Sequence, residues 1–226
     1  MHEYYRSRQD LAISLSSRSL PSQQHSKPLS LLSQCASCYR FRFILERRKP
    51  YKYTIMIRSF RGTYPQIHPT AYIEESAQVI GDVTIGEESS VWFNATVRGD
   101  VHFIRIGNRT NIQDGTVIHV SNGTHETILE DEVTVGHNVT LHGCYVERGC
   151  LIGIGSIVMD GVRVGAQSLV AAGSLLSPGT QIPPRSLVMG VPARVKRPLT
   201  DEEVAGLEVF WKNYVGYIKM YRSEQS

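Results

Sequence analysis

"IGIGSIVMDGVRVGAQSLVAAGSL", residues 152–175, decides the fold. Cut at its aliphatic heads, it falls into four six-residue units: IGIGSI, VMDGVR, VGAQSL and VAAGSL. Ile152, Val158, Val164 and Val170 lead them, and small or turn residues fill most of the rest. A short fixed period has to be interpreted before any local propensity, and hexads with one obligatory aliphatic are the signature of a parallel β-helix. Each unit is a short strand plus a turn, and three units close one triangular coil of about eighteen residues. The aliphatic head points inward and stacks on the equivalent head one coil along, roughly 4.8 Å away. A single coil buries almost nothing, so several must stack.

The pattern extends both ways. Downstream it reaches Leu176, Ile182 and Val188, and upstream Val146, Leu141 and Val135. Further heads are Ile85, Val91, Val97, Ile106, Ile112 and Ile118, which predicts roughly seven coils. The six-fold spacing breaks at 98–105 and at 120–134. Loops are expected to bulge out there, and such polar excursions tend to carry function. The fold class is therefore all-β, a parallel β-helix of hexapeptide repeats over residues 56–198. Residues 199–226 change period. Thr200 and Glu203 stand at capping-box spacing. Val204, Leu207, Phe210, Trp211, Tyr214, Ile218 and Tyr221 fall on one helical stripe, so a C-terminal amphipathic α-helix follows, and its apolar side needs a surface.

The chain has 226 residues and a formal charge of +3, unevenly placed. Residues 1–55 hold ten Lys and Arg against Glu3, Asp10 and Glu46, whereas residues 56–226 hold fourteen against eighteen acidic residues. The acidic body gives no support to a nucleic-acid partner. No run reaches the roughly 18 apolar residues that span a bilayer, so no membrane role is expected. Residues 1–55 contain ten Ser, show no sustained period and are expected to be a disordered extension. A compact pattern begins after Met56, which favours an over-extended start or an inert tail. Arg-rich, Ser-rich and acid-poor is also the signature of a mitochondrial transit peptide. The four cysteines, Cys35, Cys38, Cys144 and Cys150, make no disulfide framework in a chain this long and point to a reducing compartment. The expected location is cytoplasmic, with the mitochondrion as the alternative. Asn94, Asn108, Asn122 and Asn138 each open an N-x-T sequence and are read as turn asparagines.

Two histidines share one register. His119 directly follows head Ile118, and His142 directly follows head Leu141. They lie 23 residues apart, one eighteen-residue coil plus a five-residue loop. Their rings should therefore stack on neighbouring coils of one face, a sound arrangement for two ligands of one metal. His137 is second after Val135, on the preceding side of the triangle, and cannot reach the same point within its own chain. If it joins the site, it comes from another subunit. Three His around one cation, with water in the fourth place, is a catalytic zinc arrangement. The competing reading is three unrelated surface or corner histidines. Arg98 and Asp100 stand at the first break, and Asn111, Gln113 and Asp114 lie just ahead of His119. Arg98 and Asp100 form either a solvated ion pair or one that fixes an interface.

Together "VRGD", "NIQDGTVIH", "VGHNVTLHGC", "IGIGSIVMDG", "MGVPA" and "KNYV" resemble the gamma-class carbonic anhydrases and their PaaY-like hexapeptide-repeat relatives, from about residue 60 to the C-terminus. The resemblance implies a left-handed β-helix assembled as a homotrimer, with Zn2+ or Fe2+ at each subunit interface. It implies His119 and His142 from one chain and His137 from the next as metal ligands. Arg98, Asp100, Asn111, Gln113 and Asp114 match family positions, and Asn213 in the helix is a further polar candidate. The implied reaction is reversible hydration of CO2 to bicarbonate, with Gln113 orienting the attacking oxygen. Archetypal members carry a proton-transfer glutamate directly after the aspartate of R-G-D. Here Val101 follows Asp100, which leaves proton export without that carrier. The alternatives are an acyl-CoA thioesterase, a hexapeptide acyltransferase using a His as general base, and an inactive scaffold subunit.

Overall fold

A computed structural model of the chain describes residues 56–224. The expectations for residues 1–55, including Cys35 and Cys38, and for Gln225 and Ser226 lie outside the described residues.

The strands stack into a parallel β-solenoid with three faces. The first face carries Met56–Arg58, the leading parts of Gln78–Ile85 and Thr96–Ile106, then Val117–His119, Thr140–His142, Ile157–Val158 and Leu175–Leu176. The second carries Gln66–Ile67, the trailing parts of the same two long strands, then Thr127–Leu129, Tyr145–Val146, Arg163–Val164 and Gln181–Ile182. Tyr72–Ile73, Ser90–Val91, Asn111–Ile112, Thr134–Val135, Leu151–Ile152, Leu169–Val170 and Ser186–Gly190 form the third. Each face thus has seven parallel strands, one per coil. The last edge is closed by Ala193–Pro198, which turns back antiparallel onto Ser186–Gly190. A closed edge offers no free ladder for another strand to pair with.

Register explains the core. On the first face Val79 pairs with Val97, then Ile118, Leu141, Val158 and Leu176 in succession. Ile85, Ile106, Leu129, Val146, Val164 and Ile182 do the same on the second, and Val91, Ile112, Val135, Ile152, Val170 and Val188 on the third. All of these heads are buried. Burying a side chain of this kind stabilises by about 1.5–3 kcal/mol, so the stacked heads supply the main driving force. The turns take the strained conformations: Asn94 and Asn138 have φ of 57° and 54°, and Asn108 and Asn122 also sit in turns.

The structure corrects three details. The six-residue spacing starts earlier than Ile85, at Ile67, Ile73 and Val79, which pair with the following coils like the rest. The expected loop at 98–105 is a bulge inside one long strand, Thr96–Ile106, where the ladder slips between Gly81 and Val83. The expected loop at 120–134 is shorter. Its second half is the strand Thr127–Leu129, whose buried head Leu129 is hidden in sequence by the acidic residues around it.

The helix α1 (Asp201–Glu224) lies along the third face. Thr200 and Glu203 cap it reciprocally: the Glu203 N–H donates to Thr200 Oγ1 at 3.2 Å, and the Thr200 N–H to Glu203 Oε2 at 3.0 Å. Val204 and Leu207 join Leu199 against Leu151, Leu169 and Leu187, the outward column of the last coils. At the other end Ile218 and Tyr214 pack on Tyr72, Trp92 and Phe93 of the first coils. The apolar stripe is not wholly covered, since Phe210 remains 46% exposed. Among the described residues no helix is long and apolar enough to cross a membrane.

Candidate metal centre

On the first face the residue after each head points outward. That rule puts Arg98, His119 and His142 in one column on three successive coils, with His119 and His142 as direct register partners. Their ring centroids are 5.2 Å apart, and His119 Nδ1 faces His142 Nε2 at 3.2 Å. The outer nitrogens are engaged by carboxylates. His119 Nε2 lies 2.9 Å from Asp100 Oδ1, and His142 Nδ1 lies 2.6 Å from Asp160 Oδ1. Asp100 arrives from the bulge, and its second oxygen is paired with Arg98. Asp160 arrives from the next coil, and its second oxygen accepts from Ser121 Oγ at 2.7 Å. The result is a polar ladder, Arg98–Asp100–His119–His142–Asp160–Ser121.

Local backbone makes this ladder possible. Gly143 follows His142 at φ +60°, and a Cβ there would lie 2.7 Å from His125 Cβ and 3.1 Å from Asp160 Cγ. A side chain at 143 would therefore push Asp160 off His142. The turn before Thr127–Leu129 is tied down as well: Thr127 Oγ1 donates to the His119 carbonyl at 2.7 Å, and the Gly143 N–H donates to Thr127 Oγ1 at 3.0 Å.

The donor set fits a metal. With the outer ring nitrogens directed at Asp100 and Asp160, the two inner nitrogens face each other, an arrangement that a cation between them would satisfy. A tetrahedral ion with metal–nitrogen bonds of about 2.0–2.1 Å holds two ligand nitrogens about 3.3 Å apart, close to the 3.2 Å found. Carboxylates on the far nitrogens are the usual support of metal-binding histidines. The two rings are 18% and 29% exposed, so a third ligand has access from outside the chain. Burial alone raises the pKa of Asp100, but hydrogen bonds from His119 and Arg98 outweigh it and hold the carboxyl below its usual range. Burial also acts against Asp160, and Ser121 and His142 lower it in the same way. Both carboxylates thus stay ionised opposite the rings.

The other candidates gather elsewhere. His137 follows a third-face strand, and its Nδ1 lies 3.0 Å from Asp114 Oδ2. It lines a groove of about 570 Å3 between that face and α1, together with Gln113, Asn213, Phe210, Tyr214 and Tyr217. Gln113 Nε2 donates to Asn111 Oδ1 at 3.1 Å, and Asn111 Nδ2 donates to Thr134 Oγ1 at 3.0 Å. Asn111 is buried beneath the helix and acts by fixing Gln113. Burial, with Asp114 nearby, pushes the Tyr214 hydroxyl up to about 12, so it remains a donor at neutral pH. Among the described residues no three His, Cys, Asp or Glu side chains converge on one point within the chain. The candidate residues thus form two separate groups: Arg98, Asp100, His119 and His142 in the ladder, and His137, Asp114, Gln113, Asn111 and Asn213 at the groove.

Sequence reasoning missed Asp160 and Ser121. Asp160 stands eighteen residues, one coil, after His142, and that spacing was the available signal. Ser121 had none, because its role depends on how the turn at 120–126 folds back.

No family model matches the chain. It is 48% identical over 170 residues to a carbonic anhydrase of Geobacillus kaustophilus, covering 75% of this chain and 93% of that one. It is 42% identical over 167 residues to gamma carbonic anhydrase 2, mitochondrial, of Arabidopsis thaliana, covering 72% of this chain and 60% of the relative. A solved structure of a Bacillus cereus protein, put forward as an acetyltransferase, matches with a TM-score of 0.73 at 44% identity, covering 74% of this chain and 97% of that one.

Proposed function

The chain belongs to the gamma-class carbonic anhydrase family, and from that membership we propose that it is a metalloenzyme that reversibly hydrates CO2 to bicarbonate. In this reading it works as a homotrimer, with each metal shared between His119 and His142 of one subunit and His137 of the next. The observation that carries it is the pair of imidazole nitrogens facing each other at 3.2 Å with their outer nitrogens on Asp100 and Asp160. Val117 and Ile157 stand exposed on the same face as this ladder and offer an apolar rim to a neighbouring subunit.

His119 and His142 of one subunit with His137 of the next would hold a zinc or ferrous ion, which would supply a Lewis acid able to lower the pKa of water, toward about 7 for zinc. The protein's own part is positioning and exclusion. Gln113, pinned by Asn111, has no titratable proton; its amide orients the attacking oxygen and the bicarbonate product. Asn213 and Tyr214 add polar atoms to a groove whose other walls, such as Leu151, Ile152 and Phe210, are apolar and suit CO2. Arg98 holds Asp100, and Asp100 holds the His119 ring. Val101 cannot carry a proton, so external buffer takes it.

The test is stopped-flow CO2 hydration on zinc-loaded and iron-loaded protein, beside elemental analysis of protein prepared without chelator. About one metal per chain is expected, with a hydration rate that rises with imidazole buffer concentration. Metal-free protein that transfers acyl groups would replace this reading with the acyltransferase one. The groove also favours one second reading, because about 570 Å3 far exceeds what CO2 needs. An acyl thioester hydrolysed at the same metal would use that space, and release of free thiol from acyl-CoA distinguishes it.

A further inference from the structure

We propose that Ser121 and Asp160 are positioning residues that orient His142 as a metal ligand, and that the turn at residues 120–126 exists to carry Ser121 to that task. The inference rests on the metal reading of the site.

The turn departs from the hexad pattern, and a departure costs stacked burial in its coil. Its position suggests what is gained. Ser121 belongs to the coil of His119, His142 to the next coil, and Asp160 to the one after that. The Ser121 hydroxyl therefore reaches past His142's coil to bond Asp160 Oδ2 at 2.7 Å, while Asp160 Oδ1 holds the imidazole at 2.6 Å. The reach is braced from within. Ser121 and His125 pair across the turn, the Ser121 N–H donating to the His125 carbonyl at 2.9 Å. Gly143 leaves the space in which the carboxylate lies. Neither Ser121 nor Asp160 lines the groove that holds Gln113, Asn213 and His137, so neither touches a substrate there.

The ladder is asymmetric in consequence. Its His119 end is anchored by the cation of Arg98, and its His142 end by a neutral hydroxyl on a turn. A charged anchor is the stronger one. His142 is thus the ligand whose orientation depends on local backbone order.

Zinc affinity measured by competition with a chromophoric chelator, on the full chain, tests this. Asp160→Ala should weaken binding about 10–100-fold, the usual effect of removing such a carboxylate. Ser121→Ala should weaken it several-fold, and Ser121→Thr, which keeps the hydroxyl, should restore it. Because Ser121 acts only through Asp160, Ser121→Ala should add nothing in an Asp160→Ala background. Glu147→Gln, which removes a carboxylate paired with Arg163 on the second face, serves as the control and should bind zinc normally. Melting of the metal-free proteins shows whether each variant is folded, and Ser121→Ala alone suffices if Asp160→Ala is not. Unchanged affinity in Ser121→Ala, or additive losses in the double variant, overturns the proposal. A wild-type protein without zinc affinity overturns the metal reading itself, and this inference with it.

Discussion

The proposed sharing of each metal between two subunits makes a quantitative prediction about mixed assemblies. His119→Ala destroys the ladder, and His137→Ala destroys the groove side, so either variant alone should bind no metal. Unfold the two together in equal amounts and let them reassemble. In the proposed closed ring each interface takes its ladder from one subunit and its His137 from the next. An interface is whole when a His137→Ala chain supplies the ladder and a His119→Ala chain supplies His137. Random mixing gives that order at about a quarter of interfaces. Elemental analysis should therefore find about 0.25 zinc per chain relative to one in the wild type, and CO2 hydration should return in the same proportion. The reverse control pairs His119→Ala with His142→Ala. Register places both rings in one ladder on one chain, so every interface of that mixture is defective and nothing should return. Recovery in the control, or its absence in the first mixture, would refute the assignment of ligands to subunits.

Other predictions follow from the packing and the charges. Leu141 is a fully buried head stacked between Ile118 and Val158; Leu141→Ala should cost about 2–5 kcal/mol, visible in denaturant unfolding. Asp160 has a folded pKa below its ordinary value of 3.8, so its stabilising effect is present above that value and lost as pH falls through the folded value. Melting of metal-free protein should thus hold steady above about pH 5 and drop below pH 4, and Asp160→Asn should flatten the drop. Burial pushes the thiols of Cys144 and Cys150 up to about 12. In a Cys35→Ser, Cys38→Ser chain, a colorimetric thiol reagent should find no reactive cysteine until denaturant is added.

Much of this architecture is legible in the sequence because the repeat acts through sterics and burial, which each residue reports locally. Heads from Val135 to Val188 announce their own register, and a shared offset from the head suffices to pair His119 with His142. Thr200 and Glu203 likewise declare a helix start without reference to anything distant. Legibility fails where an element's identity depends on its partners. Leu129 is a head by virtue of lying between Ile106 and Val146, yet in sequence it runs directly into the acidic stretch Glu130, Asp131 and Glu132. Ser121 contacts a residue 39 positions away through a turn that follows no period. Phe210 fits the helical stripe but overhangs a groove, because the third face presents small residues such as Ala171 and Ala172 there.

The length of α1 bears on how the protein comes apart. A stack of repeats held only by nearest neighbours unzips from its ends, and terminal coils open long before the middle does. Here a helix of 24 residues, about 36 Å long, anchors near Leu187 on the last coil and near Tyr72 on the first. The Arg222 guanidinium adds a hydrogen bond to the Ala71 carbonyl at 2.8 Å. Neither end coil can peel away without stripping its part of that splint. The helix thus converts a chain of separable steps into one concerted transition, and Asp100 to Asp160, in the middle coils, are guarded by the stability of the whole.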